Sequence, residues 1–233
     1  MPTRVEKKKH PFAVALFGPP GSGKSTQAVY IEKRFGAVHI DTGRIIEKAV
    51  YDPRMAGDPI LRRERKIFDS GILNTPEWVV GIIQSEIKKH ASRKTRIVLS
   101  GSPRTLFEAE RIIPFLETLY GKKFLLPFRI RVRPETSLFR NSNRVICVRC
   151  GMPQIYHGTR PKQCRECGGN VAVRSFDTPK AIRVRLKEYE KRTKPIVSYF
   201  KKHGFTLFDI NGEQSPEAVF GDVSREIKKA LLS

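Results

Sequence analysis

Two stretches of the chain hold residue types whose spacing could do chemistry. The first is "GPPGSGKST", Gly18–Thr26. Gly18 is followed by four residues and then by Gly23-Lys24-Ser25. A glycine-rich backbone can turn its N–H groups inward and cradle phosphate oxygens. In that arrangement Lys24 reaches the β- and γ-phosphates of a nucleoside triphosphate, and the Ser25 hydroxyl sits on Mg²⁺. Gly18, Pro19, Pro20, Gly21, Ser22, Gly23, Lys24, Ser25 and Thr26 are the predicted triphosphate cradle. The second stretch is "CVRCGMPQIYHGTRPKQCRECGG", which holds all four cysteines of the chain. Cys147 and Cys150 form one CxxC pair, and Cys164 and Cys167 form another. Each pair presents two sulfurs from one tight turn, and two such turns close a tetrahedron around Zn²⁺. Gly151 and Gly168 follow the pairs, where a knuckle turn favours a residue free to take positive φ. Four cysteine ligands leave no position open for substrate, so the metal is expected to be structural. Disulfides are the alternative, and a cytoplasmic chain disfavours them. The motif alone does not say whether the knot grips nucleic acid or serves an enzyme.

The glycine loop needs a strand before it and a helix after it. Phe12 to Phe17, "FAVALF", reads as a short buried strand, and a helical pattern runs from about Lys24 to Phe35. "AVHI", "RIVLSG", "FLLPFRIRV" and "FTLFDI" read as four further strands. Between them lie helical patterns: "TGRIIEKAV", "PILRRERKIFDSG", "PEWVVGIIQSEIKKH", "PRTLFEAERIIPFLETLYG" and residues 134–142. A long helix through "PKAIRVRLKEYEKRTKPIVSYFKKHG" is expected to kink near Pro195, and "PEAVFGDVSREIKKALL" closes the chain. Strands alternating with helices predict an α/β fold, a parallel five-stranded sheet covered on both faces.

Composition sets the limits. With 233 residues, 39% of them apolar, the chain can bury a substantial core. No apolar run approaches the roughly 18–20 residues that cross a membrane. The basic start "MPTRVEKKKH" precedes an apolar run of only six residues, too short for a signal core. A soluble, cytoplasmic protein is the expectation, with residues 1–10 as a basic flexible tail. The net charge of +22 suits polyanionic partners: nucleotides, nucleic acid or membrane headgroups. The basic residues are scattered through "KKKH", "RRERK", "KKHASRK" and "KK" at 122–123, which argues against one dedicated binding stripe.

Taken in order, "GPPGSGKST", "HIDTGRIIE", "DSGILNTPE", "SGSPRT", the CxxC pairs, "VRSFD" and "RVRLKEYEKRTKP" resemble the adenylate kinase family of nucleoside monophosphate kinases, in the form with a long zinc-bearing lid. The resemblance runs from about Phe12 to Leu232. It implies a P-loop core at 11–41, 75–143 and 175–233, a helical acceptor-binding insertion at 42–74 and a zinc lid at 144–174. It implies ATP, with Mg²⁺, as donor, a nucleoside monophosphate as acceptor, and a monomer. The knot would then stiffen a lid too small for a core of its own, and lid closure would exclude water from the transfer. Phosphoryl transfer needs cations around the moving group more than covalent help. By resemblance, Lys24, Arg104, Arg144, Arg174 and Arg185 supply them. Arg104 matches the arginine that holds the acceptor phosphate, Arg144 the lid arginine on the donor phosphates, and Arg174 and Arg185 the pair that bridges donor and acceptor. Arg140 matches the residue that stacks on the donor adenine, and Gly212 falls in the same donor site. Thr42, Gly43, Ile72, Leu73, Asn74 and Gly101 match the acceptor wall.

The chain departs from the family pattern at four positions. The family has Asp where this chain has Ser100 and where it has Arg44, so two acidic neighbours of Mg²⁺ are missing; Asp41 is the candidate substitute. The acceptor-site arginine falls on Glu47, and Arg44, one turn away, is the candidate replacement. The adenine-reading glutamine falls on Glu108. An ionised carboxylate only accepts hydrogen bonds, which fits guanine's two donors and predicts a GMP or broader acceptor set. The alternative is that Glu108 turns aside onto an arginine such as Arg111 and AMP stays preferred, in keeping with Thr42. Three functions therefore compete: an ATP-dependent nucleoside monophosphate kinase, foremost for AMP; a nucleic-acid-binding relative that keeps the fold; and a kinase for pyrimidine monophosphates, against which the long lid argues.

Overall fold

The computed structural model describes residues 10–91, 95–173 and 178–232. Arg174 and nearly all of the 1–10 tail lie outside the described residues.

The chain starts its first strand at β1, Ala13–Phe17, and turns through the glycine loop into α1, Lys24–Phe35. Strand β2, Val38–Asp41, passes directly into α2, Thr42–Val50, because the Asp41 carboxylate accepts from the N–H of Arg44 at 3.2 Å and caps the helix. Helix α3, Pro59–Asp69, starts in the same way, with Asp58 accepting from Ile60 and Leu61. Then follow α4, Pro76–Ala91, β3, Ile97–Ser100, α5, Leu106–Tyr120, β4, Leu125–Arg131, and α6, Pro134–Ser142. The cysteine segment carries β5, Arg144–Cys147, β6, Pro153–Ile155, and β7, Val171–Ala172. The chain ends in α7, Pro179–Glu188, α8, Ile196–Lys202, β8, Phe208–Asn211, and α9, Pro216–Leu232.

The five predicted strands form one parallel sheet in the order β2-β3-β1-β4-β8. Every residue of β1 is buried, so the glycine loop leaves from the middle of the core. Alternation along the strands splits that core. Ala13, Phe17, Ile97 and Leu99 face one layer with α4 and α5, while Val14, Leu16, Val98 and Phe128 face the other with α1 and α9. The cysteine segment adds a second small sheet, β6-β5-β7, antiparallel throughout.

The kink expected near Pro195 is a wider break. Proline has no N–H and clashes with the preceding turn, and the chain responds one turn earlier. Tyr189–Thr193 form a wide π turn, closed by the N–H of Lys194 donating to the carbonyl of Tyr189 at 2.8 Å, and α8 starts directly after Pro195. The turn matters for the site: the Thr193 hydroxyl donates to the carbonyl of Arg104 at 2.7 Å.

Candidate active site

Strands β1, β2 and β3 all end at one edge of the sheet, and a cavity of about 880 Å³ opens there. Parallel sheets place ligands at this carboxyl edge. Gly18, Pro20, Gly21, Ser22, Gly23, Lys24, Ser25 and Thr26 line it, as predicted, with Asp41 and Ser100 beside them. Pro19 is not on the wall. Its carbonyl instead accepts from the Lys24 ammonium at 2.7 Å, as does that of Gly18 at 2.9 Å. The same ammonium lies 3.2 Å from the Ser22 hydroxyl.

Lys24 has company of its own sign. Burial, and then the guanidinium groups of Arg104 and Arg144, pull its pKa down to about 7, against the opposing pull of Asp41. Arg104 is itself held down by burial, with Glu108 and Asp41 acting the other way. Three basic side chains thus converge on one end of the cavity, and the Asp41 carboxylate acts on two of them, Lys24 and Arg104. Such a cluster is stable only against dense negative charge, and phosphate groups supply it.

Arg104 can reach inward because of glycine. A Cβ at Gly101 would stand 2.5 Å from Nη2 of Arg104, and φ there is +85°. Arg144, at the start of β5, and Arg185, on α7, also line the cavity. On the donor side Arg140 donates to the carbonyl of Gly212 at 2.8 Å, and both line the cavity. The rings of Phe139 and His157 stand 5.1 Å apart on the same wall.

On the opposite side Gly43, Arg44, Ile72, Leu73, Asn74, Gly101 and Arg104 line the cavity. Two predicted acceptor residues do not. Thr42 is the first residue of α2 and fully buried behind the wall. Glu108, 2% exposed, is turned away from the cavity. Its carboxylate accepts from the N–H of Arg104 at 2.8 Å, the Ser102 hydroxyl at 3.0 Å and the Thr105 hydroxyl at 3.2 Å. Thr105 in turn accepts from the N–H of Glu108 at 3.2 Å and caps α5. This is a variant of the capping box, and "TLFE" is its sequence signature. The carboxylate of Glu108 is thus held by three hydrogen bonds within the loop that carries Arg104 and does not line the cavity. Nor is its partner Arg111, which donates to the carbonyl of Phe107.

Four contributors were not foreseen. Glu64, fully buried in α3, accepts from Asn74 Nδ2 at 3.0 Å and from the N–H of Thr75 at 3.0 Å, so a buried carboxylate positions the cavity wall at Asn74. Burial pushes its pKa up, but hydrogen bonds from Thr75, Asn74 and Arg63 win and hold it low. Tyr189 and Thr193 reach the cavity through the wide π turn. His39, whose pKa is pushed down chiefly by burial, lies 2.7 Å from the Ser100 hydroxyl.

The four cysteine sulfurs lie within 4.8 Å of one another. Cys147 and Cys167 Sγ are 3.5 Å apart, and Cys150 and Cys164 Sγ 3.7 Å. A tetrahedral site with Zn–S bonds of 2.3 Å spaces its sulfurs about 3.8 Å apart, so the donor set fits zinc. Donors point at the sulfurs as thiolates require. The N–H of Cys150 reaches Cys147 at 3.4 Å and that of Glu166 reaches Cys164 at 3.4 Å, while Gln154 Nε2 donates to Cys164 at 2.8 Å. The N–H of Cys150 leads the effects that lower the Cys147 thiol to about 6.

The chain is similar to proteins that share this plan. The family model described as adenylate kinase matches residues 16–205. An adenylate kinase of Caldanaerobacter subterraneus subsp. tengcongensis is 35% identical over 222 residues, 94% of this chain and 96% of that protein. Those of Kosmotoga olearia and Caldicellulosiruptor bescii are 32% and 34% identical, over 92% and 93% of this chain and 98% and 97% of their own lengths. With that match laid over a cationic cavity at the end of a glycine loop, the chain belongs to the adenylate kinase family, and it is a phosphotransferase.

Proposed function

We propose that this enzyme transfers the γ-phosphoryl group of ATP to AMP, giving two ADP, beneath a zinc-stiffened lid. The observation that carries the reading is the convergence of Lys24, Arg104 and Arg144 on one end of a cavity with two different walls. Arg140 and Gly212 lie on the donor wall, and Ile72, Leu73 and Asn74 on the acceptor wall. The cations stabilise charge spread over the moving group and over the oxygens on either side. Arg104 orients the acceptor phosphate, Arg144 the donor phosphates, and Arg185 bridges the two. Arg44, one turn from Glu47, restores positive charge to the acceptor wall.

AMP is favoured over GMP because the carboxylate of Glu108 is already hydrogen-bonded within its own loop. Bound with ATP, Mg²⁺ would neutralise phosphate charge, and the residues fit to hold it are Ser25 and Asp41. Asp41 is the carboxylate of the cavity that acts on Lys24. The four cysteines hold structural zinc.

Phosphorus NMR tests the reading. ADP should form only when ATP, AMP and Mg²⁺ are all present, and ADP alone should give ATP and AMP. Release of inorganic phosphate from ATP without AMP would contradict it.

A further inference from the structure

The acceptor insertion and the cysteine segment meet directly. Arg44 stands in the first turn of α2, held there by the Asp41 cap. Its guanidinium reaches across the cavity mouth to Gly151, the residue after Cys150 in the first knuckle. A Cβ at Gly151 would lie 2.6 Å from Cζ of Arg44 and closer still to both of its Nη atoms, so the end of the guanidinium fork abuts the knuckle backbone. A side chain there would have to displace the guanidinium, and φ of +71° at Gly151 favours glycine. The knuckle around it is fixed: Gly151 donates to the carbonyl of Cys147 at 2.9 Å, and Cys147 donates to that of Met152 at 3.0 Å. A closed four-thiolate zinc site carries net negative charge, so a cation seated on its turn is attracted to it.

Other contacts surround this one. The N–H of Leu73 donates to Glu188 of α7 at 3.3 Å, and a Cβ at Gly71 would stand 3.5 Å from Cβ of Ala181. The cysteine segment rests on α1, where Lys33 pairs with Glu166 at 3.2 Å and Val29 and Tyr30 pack on Cys147, Met152 and Cys164. Each of those contacts joins an arm to a core helix. Arg44 with Gly151 joins the two arms to each other.

We propose that Arg44 is a positioning residue that interlocks the acceptor insertion with the first cysteine knuckle, so that nucleotide bound on one side of the cavity tightens binding on the other. The interlock rests on the reading that ATP and AMP occupy the two walls. Closing the insertion over an acceptor carries the Arg44 guanidinium to the knuckle, and closing the knuckle over a donor gives that guanidinium a surface to rest on. Each ligand then lowers the ordering cost of the other, and the effect is reciprocal.

The test is calorimetry on the zinc-loaded full chain. AMP is titrated alone and in the presence of the β,γ-imido analogue of ATP, which cannot transfer. The ratio of the two dissociation constants is the coupling. In the wild type we expect about tenfold. In Arg44→Met and in Gly151→Ala it falls below about twofold, with zinc content held at one per chain in every sample. Coupling that survives in Arg44→Met while AMP affinity falls equally with and without the analogue would overturn the interlock, leaving Arg44 as a simple phosphate ligand. An uncoupled wild type would overturn it too. Failure of the wild type to bind AMP or the analogue alone would instead strike at the two-wall reading. As a second readout, AMP should slow amide exchange at residues 150–153 in the wild type and not in Arg44→Met; equal slowing in both contradicts the interlock.

Discussion

Asp41 and Ser100 are register partners on the adjacent parallel strands β2 and β3, and both line the cavity beside Lys24. The family pattern puts a carboxylate at position 100; this chain puts one at the neighbouring position of the same sheet edge. A side chain one strand away can serve the same water shell, since neighbouring strands lie about 4.8 Å apart. Asp41→Asn keeps the cap on α2, because asparagine caps as well as aspartate. It removes only the charge, and we expect kcat to fall about 10–100-fold, or about 1.4–2.7 kcal/mol. The double exchange Asp41→Ser with Ser100→Asp should recover most of that loss. Steady-state rates over a Mg²⁺ series check both, and an Asp41→Asn enzyme with unchanged kcat would remove Asp41 from the reaction.

Lys24 gives a proton-uptake signature. Its pKa of about 7 comes from burial and from Arg104 and Arg144. Phosphates beside it favour the charged form and raise that value. Above pH 7 the free enzyme has largely lost the proton and the complex regains it, so binding takes one up. At pH 8 ATP binding should absorb about 0.9 proton, and at pH 6 about 0.1. Calorimetry in buffers of different ionisation enthalpy measures both numbers. Binding at pH 8 without uptake would place the pKa elsewhere.

Removing the metal should loosen the small sheet and spare the large one. Strands β5, β6 and β7 have two to four residues each, and the apolar side chains buried beside the sulfurs are few. A chelator should lower the melting midpoint by about 5–10 °C and open residues 147–169 to protease, with the core intact. If the sulfurs were joined as disulfides, a chelator would do nothing and a reductant would act in its place.

Glu64 should act on one nucleotide only. Its carboxylate orients Asn74, which lines the cavity on the proposed acceptor side, and holds the N–H of Thr75 behind it. Glu64→Gln leaves a buried donor facing donors, a cost of about 1–3 kcal/mol. The KM for AMP should rise about tenfold with the KM for ATP within about twofold. Equal rises in both would make Glu64 a general stabiliser.

The five strands of the large sheet were legible because each is a short apolar run bounded by turn residues, and the glycine loop fixes which strand is central. Helix α6 matches its expected span, 134–142. The small sheet was not legible. "RVIC", "PQI" and "VA" are too short to show a period of two, and the cysteine cluster sets them as much as an apolar face does. At the site, the glycine loop apart from Pro19 lines one cavity with Arg104, Arg140, Arg144 and Arg185, and the four cysteines lie together. Of the two roles open to Glu108, its local sequence favours the one away from the base: "TLFE" is a helix-start signal, and the carboxylate sits in the cap of α5. Glu64 was hidden inside "RRERK", where a single acid among cations reads as surface. Only folding shows that α3 turns it inward. Tyr189 and Thr193 depend on a wide turn that no simple period announces.

The central claim is that the two walls of one cavity pass a phosphoryl group from ATP to AMP. The most direct measurement is ADP formation from ATP and Mg²⁺ with AMP, GMP, CMP, UMP and dTMP in parallel. The account predicts fast turnover with AMP and a kcat/KM at least about 100-fold lower for GMP, a difference of about 2.7 kcal/mol. A GMP rate equal to or above that with AMP, or no turnover with any acceptor from folded, zinc-loaded protein, would contradict it.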